Sequence, residues 1–99
     1  MPEWIYVIRA ARDGFAAEPT EQEQTIMSDH FGYLKGLLED GRLVLAGPAL
    51  DAAFGIVVYE AEDEAAAREI MESDPSVRQG VMRASLHPYR SSLLRGRDT

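Results

Sequence analysis

Short apolar runs rich in β-branched residues alternate along the chain with two longer amphipathic stretches. The first run, WIYVI at Trp4 to Ile8, is aromatic and β-branched and lies between Pro2 and RDG at Arg12 to Gly14, so it predicts a strand. Trp4, Tyr6 and Ile8 fall on one face, and Ile5 and Val7 on the other. A strand covered on one side only would alternate with polar residues, so both faces of its sheet are expected to be covered. After FAAEPTEQEQ the pattern changes to helical spacing. Thr20 and Glu23 have the spacing of a capping box, in which hydroxyl and carboxylate each satisfy a free backbone N–H. This helix is expected to run to about Asp40, where Gly41 supplies a left-handed stop. RLVLAGP and FGIVVYEA predict two further strands, joined as a hairpin by a short loop around ALDAA. Asp63 caps a second helix, EAAAREIMES, which must end before Pro75 because the residue preceding proline avoids helical geometry. VMRASLHPY predicts the last strand.

The order β-α-β-β-α-β is that of the ferredoxin-like α+β fold, with both helices on one face of a four-stranded antiparallel sheet. Residues 1–90 are expected to form a single domain, with 91–99 as a C-terminal tail. Two helices cover one face only, so the apolar residues on the other predict a homodimer packed sheet to sheet.

On a wheel of about 100° per residue, Ile26, Met27, Phe31, Leu34, Leu37 and Leu38 share one arc of the first helix, opposite Ser28, Gly32, Lys35 and Glu39. His30 lies inside the apolar arc and should face the sheet. Two readings stand at this point. One is a core histidine bonded to a backbone carbonyl, since buried polar groups are normally satisfied and inert. The other is a general acid or base at the bottom of a cleft, which would want a carboxylate to fix its tautomer and stabilise the imidazolium. Asp29 points elsewhere on the helix. Asp74 ends the second helix on the same side of the sheet and is the better partner, although Asp-Pro is also an ordinary helix cap.

Charge and composition narrow the classes. The chain has 99 residues and a formal charge of −7, with a pI near 4.7. That argues against nucleic acid and against an anionic membrane surface. No cysteine is present, so thiol catalysis, disulfides and thiolate metal sites are excluded. A reducing cytoplasm suits such a chain and is the expected location. No apolar run approaches the ~20 residues of a membrane span, and the start does not read as a signal peptide. With two histidines and no cysteine, no metal site and no organic cofactor are expected. Other candidates are weaker. Gly47 and Pro48 end a strand and are expected to border the pocket, without the repeated glycines and lysine of a phosphate loop. Tyr33 sits at the edge of the helical stripe, as a pocket wall or as an amphipathic core residue. Arg9 follows the first strand and could meet an anionic substrate or pair with one of seventeen acidic residues. His87 falls with Arg83 and Ser85 on the more polar face of the last strand, and is expected to be exposed.

DHFGYLKGLLEDGRLVLAGP, then GIVVYEAEDEAAAREIMESDP, then SLHPYR together resemble the YCII-related family across nearly the whole chain. The resemblance implies a dimeric α+β barrel of ferredoxin-like subunits and a pocket dyad carried by His30 and Asp74. It also implies chemistry like that of relatives that include a dehydrochlorinase of chlorinated hydroxyquinols, within a superfamily holding muconolactone isomerases and cofactor-free oxygenases. Met27 stands where the RPAH form of some members has arginine, so no anion-binding arginine is implied there. The expectation is a lyase or isomerase acting on a small cyclic substrate through His30 and Asp74, with Tyr33, Gly47, Pro48 and Arg9 as substrate contacts. The competing class is a non-catalytic module that binds a metabolite or serves a larger enzyme.

Overall fold

The computed structural model describes all 99 residues. In chain order the elements are β1 (Glu3–Ala10), α1 (Glu21–Glu39), β2 (Leu43–Pro48), β3 (Gly55–Glu60), α2 (Glu64–Ser73), α3 (Pro75–Arg78) and β4 (Met82–Tyr89). The strands form one antiparallel sheet in the order β2-β3-β1-β4. This is the ferredoxin-like arrangement that the element order predicts, with the apolar β1 and β3 in the centre.

Local chemistry sets the helix ends. Thr20 Oγ1 accepts from the Glu23 amide at 3.0 Å while the Glu23 carboxylate accepts from the Thr20 amide at 2.9 Å, completing the capping box. Arg12 reaches across the preceding loop to the same carboxylate at 2.7 Å, and these bonds hold Glu23 down at about 2. Gly41 closes α1 with φ +78°, a conformation costly for any residue with a Cβ. Asp63 accepts from the Ala66 amide and starts α2.

The core lies between the helices and the face of the sheet that carries Trp4, Tyr6, Ile8, Val57 and Tyr59. Burying each of these side chains contributes on the order of 2 kcal/mol. Tyr6 and Tyr59 meet edge to face at 5.6 Å. The polar ends of the aromatic side chains are satisfied inside the core, Trp4 by the Ala61 carbonyl and Tyr59 by the Ala67 carbonyl. On the opposite face Ile5, Val7 and Ile56 are only half-buried. His87, opposite Ile5 in register, is exposed and bonds Ser85.

The stripe of α1 is narrower than the wheel predicts. Ile26, His30, Leu34 and Leu37 are buried, but Phe31 is 64% and Leu38 59% exposed. The reason is the edge strand. Between α1 and β2 lies an open cavity rather than packed core, and Phe31 and Leu38 form its wall.

Candidate active site

Two local features bring His30 and Asp74 together. Ile26, Leu34 and Leu37 lay the buried face of α1 on the sheet, and His30 on that face points inward with them. Asp74 leaves α2 in extended conformation, with ψ 122°, because Pro75 follows; it then caps α3, with Pro75 in the first turn. The capping role and the pairing role are thus held by one carboxylate.

That carboxylate is fully buried and accepts from four donors. His30 Nδ1 lies 2.8 Å from both Oδ1 and Oδ2. The Tyr6 hydroxyl donates to Oδ2 at 2.6 Å, and the Ser76 amide and hydroxyl donate to Oδ1, each at 2.9 Å. Burial pushes the Asp74 carboxyl up, but the bonds from His30, Tyr6 and the Ser76 amide more than offset it and hold the group below its ordinary value. An ionised carboxylate has no proton to give, so Nδ1 carries the hydrogen in this pair. Nε2 has no partner within the chain, yet no buried side-chain nitrogen or oxygen lacks one, so Nε2 must be open to solvent. His30, 9% exposed, shows that edge to the cavity. A neutral ring held this way offers a lone pair outward and a stabilising charge behind.

The cavity encloses about 750 Å³, and sixteen of its twenty-one lining residues are hydrophobic. That volume is in the range of small-molecule sites. Leu34, Phe31 and Leu38 of α1 form one wall, and Leu43, Leu45 and the loop residues Leu50 and Phe54 another. Gly47 and Pro48 line it from the end of β2. Gly55 lets β3 pass close to β1, since a Cβ there would come within 3.2 Å of Ile8. Asp74 is not in the lining; it stands behind His30. Tyr33 and Arg9 do not line the cavity either. The Tyr33 hydroxyl donates to the Ile70 carbonyl at 2.7 Å and ties α1 to α2, and Arg9 is exposed near the end of β1, past its buried residues. No three His, Asp or Glu side chains cluster closely enough to hold a metal ion, and no helix is long and apolar enough to cross a membrane.

Three residues at the site escaped the sequence reading. Ser76 had a signal, its place two residues after a capping aspartate, where an amide and a hydroxyl both reach back. Lys35 falls on the polar arc of the helical wheel, yet it lies at the cavity. Tyr6 had no signal beyond an inward position, because its partner is 68 residues away.

Burial, the Asp74 charge and the bond to it together push the Tyr6 phenol well above its ordinary value, and burial raises Tyr59 as well. In the unfolded chain these phenols ionise near pH 10. Their contribution is therefore whole below pH 10 and is lost above it, by about 1.4 kcal/mol per pH unit for each. Tyr6→Phe should cost about 1.5–3 kcal/mol at pH 7, the worth of a bond to a charged acceptor. It should also make the alkaline fall in stability shallower by one tyrosine's share. Urea unfolding at pH 7 and between pH 9 and 11 checks both, and an unchanged alkaline slope would mean that Tyr6 ionises without unfolding.

A family model for the YCII-related domain matches residues 5–86. No curated protein matches the chain in sequence. Among solved structures, the fold is similar to that of 5-chloro-2-hydroxyhydroquinone dehydrochlorinase (TftG) from Burkholderia phenoliruptrix AC1100, in complex with 2,5-dihydroxybenzoquinone. The TM-score is 0.66 at 18% identity, over 88% of this chain and 93% of that one. At that identity the likeness is one of fold. The matched residues reach from within β1 to within β4 and take in both long helices and the capped turn that holds Asp74, and the chain belongs to the YCII-related domain family.

Proposed function

We propose that the protein binds a small, mostly apolar cyclic molecule in the cavity and transfers a proton there, as a lyase or isomerase. The observation that carries this reading is the outward Nε2 of a histidine whose Nδ1 is anchored on a buried carboxylate. Nε2 of the neutral ring takes a proton from a C–H or O–H bond of the substrate, and the electrons of that bond form a new π bond. In a lyase a leaving group such as chloride departs with its bonding pair. In an isomerase Nε2–H returns the proton to another carbon. Asp74 stabilises the imidazolium between the two steps and, with Ser76 and Tyr6, keeps the ring in one orientation. The dehydrochlorinase of similar fold, with its quinone ligand, supports beginning with hydroxylated and halogenated rings.

The test is a screen of such rings for turnover and for thermal stabilisation, in the natural protein and in His30→Asn. Turnover that disappears in the variant supports proton transfer. Stabilisation by a ring compound without turnover would instead make the protein a metabolite-binding module.

The reading includes a homodimer. Ile5, Val7 and Ile56, half-buried on the sheet face away from the helices, supply its apolar surface. Sedimentation equilibrium at micromolar concentration should give twice the 11.0 kDa of the chain; a monomer mass would refute it.

A further inference from the structure

Besides His30, the cavity lining carries a single ionisable side chain. Lys35 stands one turn beyond Phe31 on α1, its Nζ 5.9 Å from the centre of the Phe31 ring, and it makes no ion pair. No aspartate or glutamate lines the cavity, although the chain holds seventeen of them against ten lysines and arginines. An acidic protein thus presents one unopposed cation at an apolar hollow. The net charge of −7 repels anions at long range, so an anion entering here needs a local attraction, and Lys35 is the group that supplies it.

We propose that the cavity takes an amphipathic anion, with a flat apolar body between the leucine and phenylalanine walls and an anionic head at Lys35. The Phe31 ring holds the ammonium beside the apolar wall, which lowers the local dielectric and strengthens its pull on an anion. His30 and Lys35 are five residues apart on one helix, about 7.5 Å along its axis. The anionic head and the atom that meets Nε2 are therefore at opposite ends of a molecule at least one ring long. The proposal rests on the cavity being a ligand site, as in the preceding section, and is independent of whether proton transfer follows. Its rival is a solvated lysine that merely rests on Phe31, which would not discriminate between charged and neutral ligands.

Two fluorescent probes separate these cases: the anion 8-anilinonaphthalene-1-sulfonate and its neutral counterpart N-phenyl-1-naphthylamine. Lys35→Met keeps the apolar stem and, at an exposed position, should leave the fold intact. It should weaken the sulfonate roughly three- to fivefold, as expected for a partly solvated charge pair, and leave the neutral probe unchanged. Lys35→Glu should weaken the sulfonate further. Equal loss of both probes, or sulfonate binding indifferent to both substitutions, overturns the anion proposal alone. If neither probe binds, the ligand-site reading falls and the proposal falls with it.

Discussion

Replacing Asp74 by alanine is expected to lower the unfolding free energy by about 3–5 kcal/mol, well beyond the ~1 kcal/mol of an ordinary substitution. Lost volume is the smaller part of this. The carboxylate is fully buried and is the common acceptor of His30 Nδ1, the Tyr6 hydroxyl, and the Ser76 amide and hydroxyl. Alanine leaves those donors unpaired in a site with little access to water, and each such group carries a desolvation cost. Asp74→Asn should cost less, because one oxygen still accepts, but its amide nitrogen turns toward donors. The pH dependence gives a second signature. The folded carboxyl lies below its ordinary value, so the unfolded chain takes up this proton first as the solution is acidified. The share of stability owed to ionised Asp74 is thus present above about pH 4 and is lost as pH falls through the lower folded value. Glu23, held at about 2 by Arg12 and Thr20, gives an acid limb of the same sign that survives in the variant. The gap between natural protein and Asp74→Asn should therefore narrow on acidification, while part of the acid limb stays in both. Urea unfolding at pH 7 and pH 3 measures it, and a cost below about 1 kcal/mol for Asp74→Ala would mean that water reaches the orphaned donors.

What the chain shows in its sequence and what it hides divide by range. The capping box of Thr20 and Glu23, the stop at Gly41 and the break before Pro75 are interactions between residues within a few positions of each other, and each is legible as a spacing. Strand order follows from element order, because few ways of connecting these elements pack both helices on one sheet. The helical period turns His30 inward, and position makes Asp74, 44 residues away, a better partner than Asp29 without excluding a plain helix cap; it is the resemblance that assigns Asp74 to the pair. Two things were beyond this reasoning. Periodicity reports the direction of a side chain but not how far the sheet extends beneath it, so Phe31 and Leu38 share the apolar arc of α1 although the cavity beside β2 leaves them exposed. Convergence on one carboxylate depends on three separate elements, and nothing local to Tyr6 announces the bond it makes. For the same reason Tyr33 and Arg9, chosen by position along their elements, sit outside the lining, whereas Gly47 and Pro48 fall within it.

His30→Asn is expected to lower turnover of a substrate found by the screen by about 10²–10⁴-fold, the usual worth of a positioned acid or base. Asparagine suits the test because its side-chain nitrogen falls near the place of Nδ1. It can still donate to Asp74, so the buried carboxylate stays paired and the fold is preserved. The lone pair of Nε2, the one group of the pair that faces the cavity, is removed. Binding should change little, because the walls of the cavity are otherwise intact, so the loss belongs in kcat rather than KM. Asp74→Asn should depress kcat as well, by a different route. An amide nitrogen facing Nδ1 favours the tautomer with the hydrogen on Nε2, which turns the outward lone pair into a donor. The two variants then differ in a readable way. His30→Asn has no imidazole at the site, whereas Asp74→Asn keeps one whose minority tautomer still presents the Nε2 lone pair, so its loss should be the smaller. Equal losses in both would mean that the pair acts only by holding the shape of the cavity, and turnover undiminished in His30→Asn would remove proton transfer by this histidine altogether.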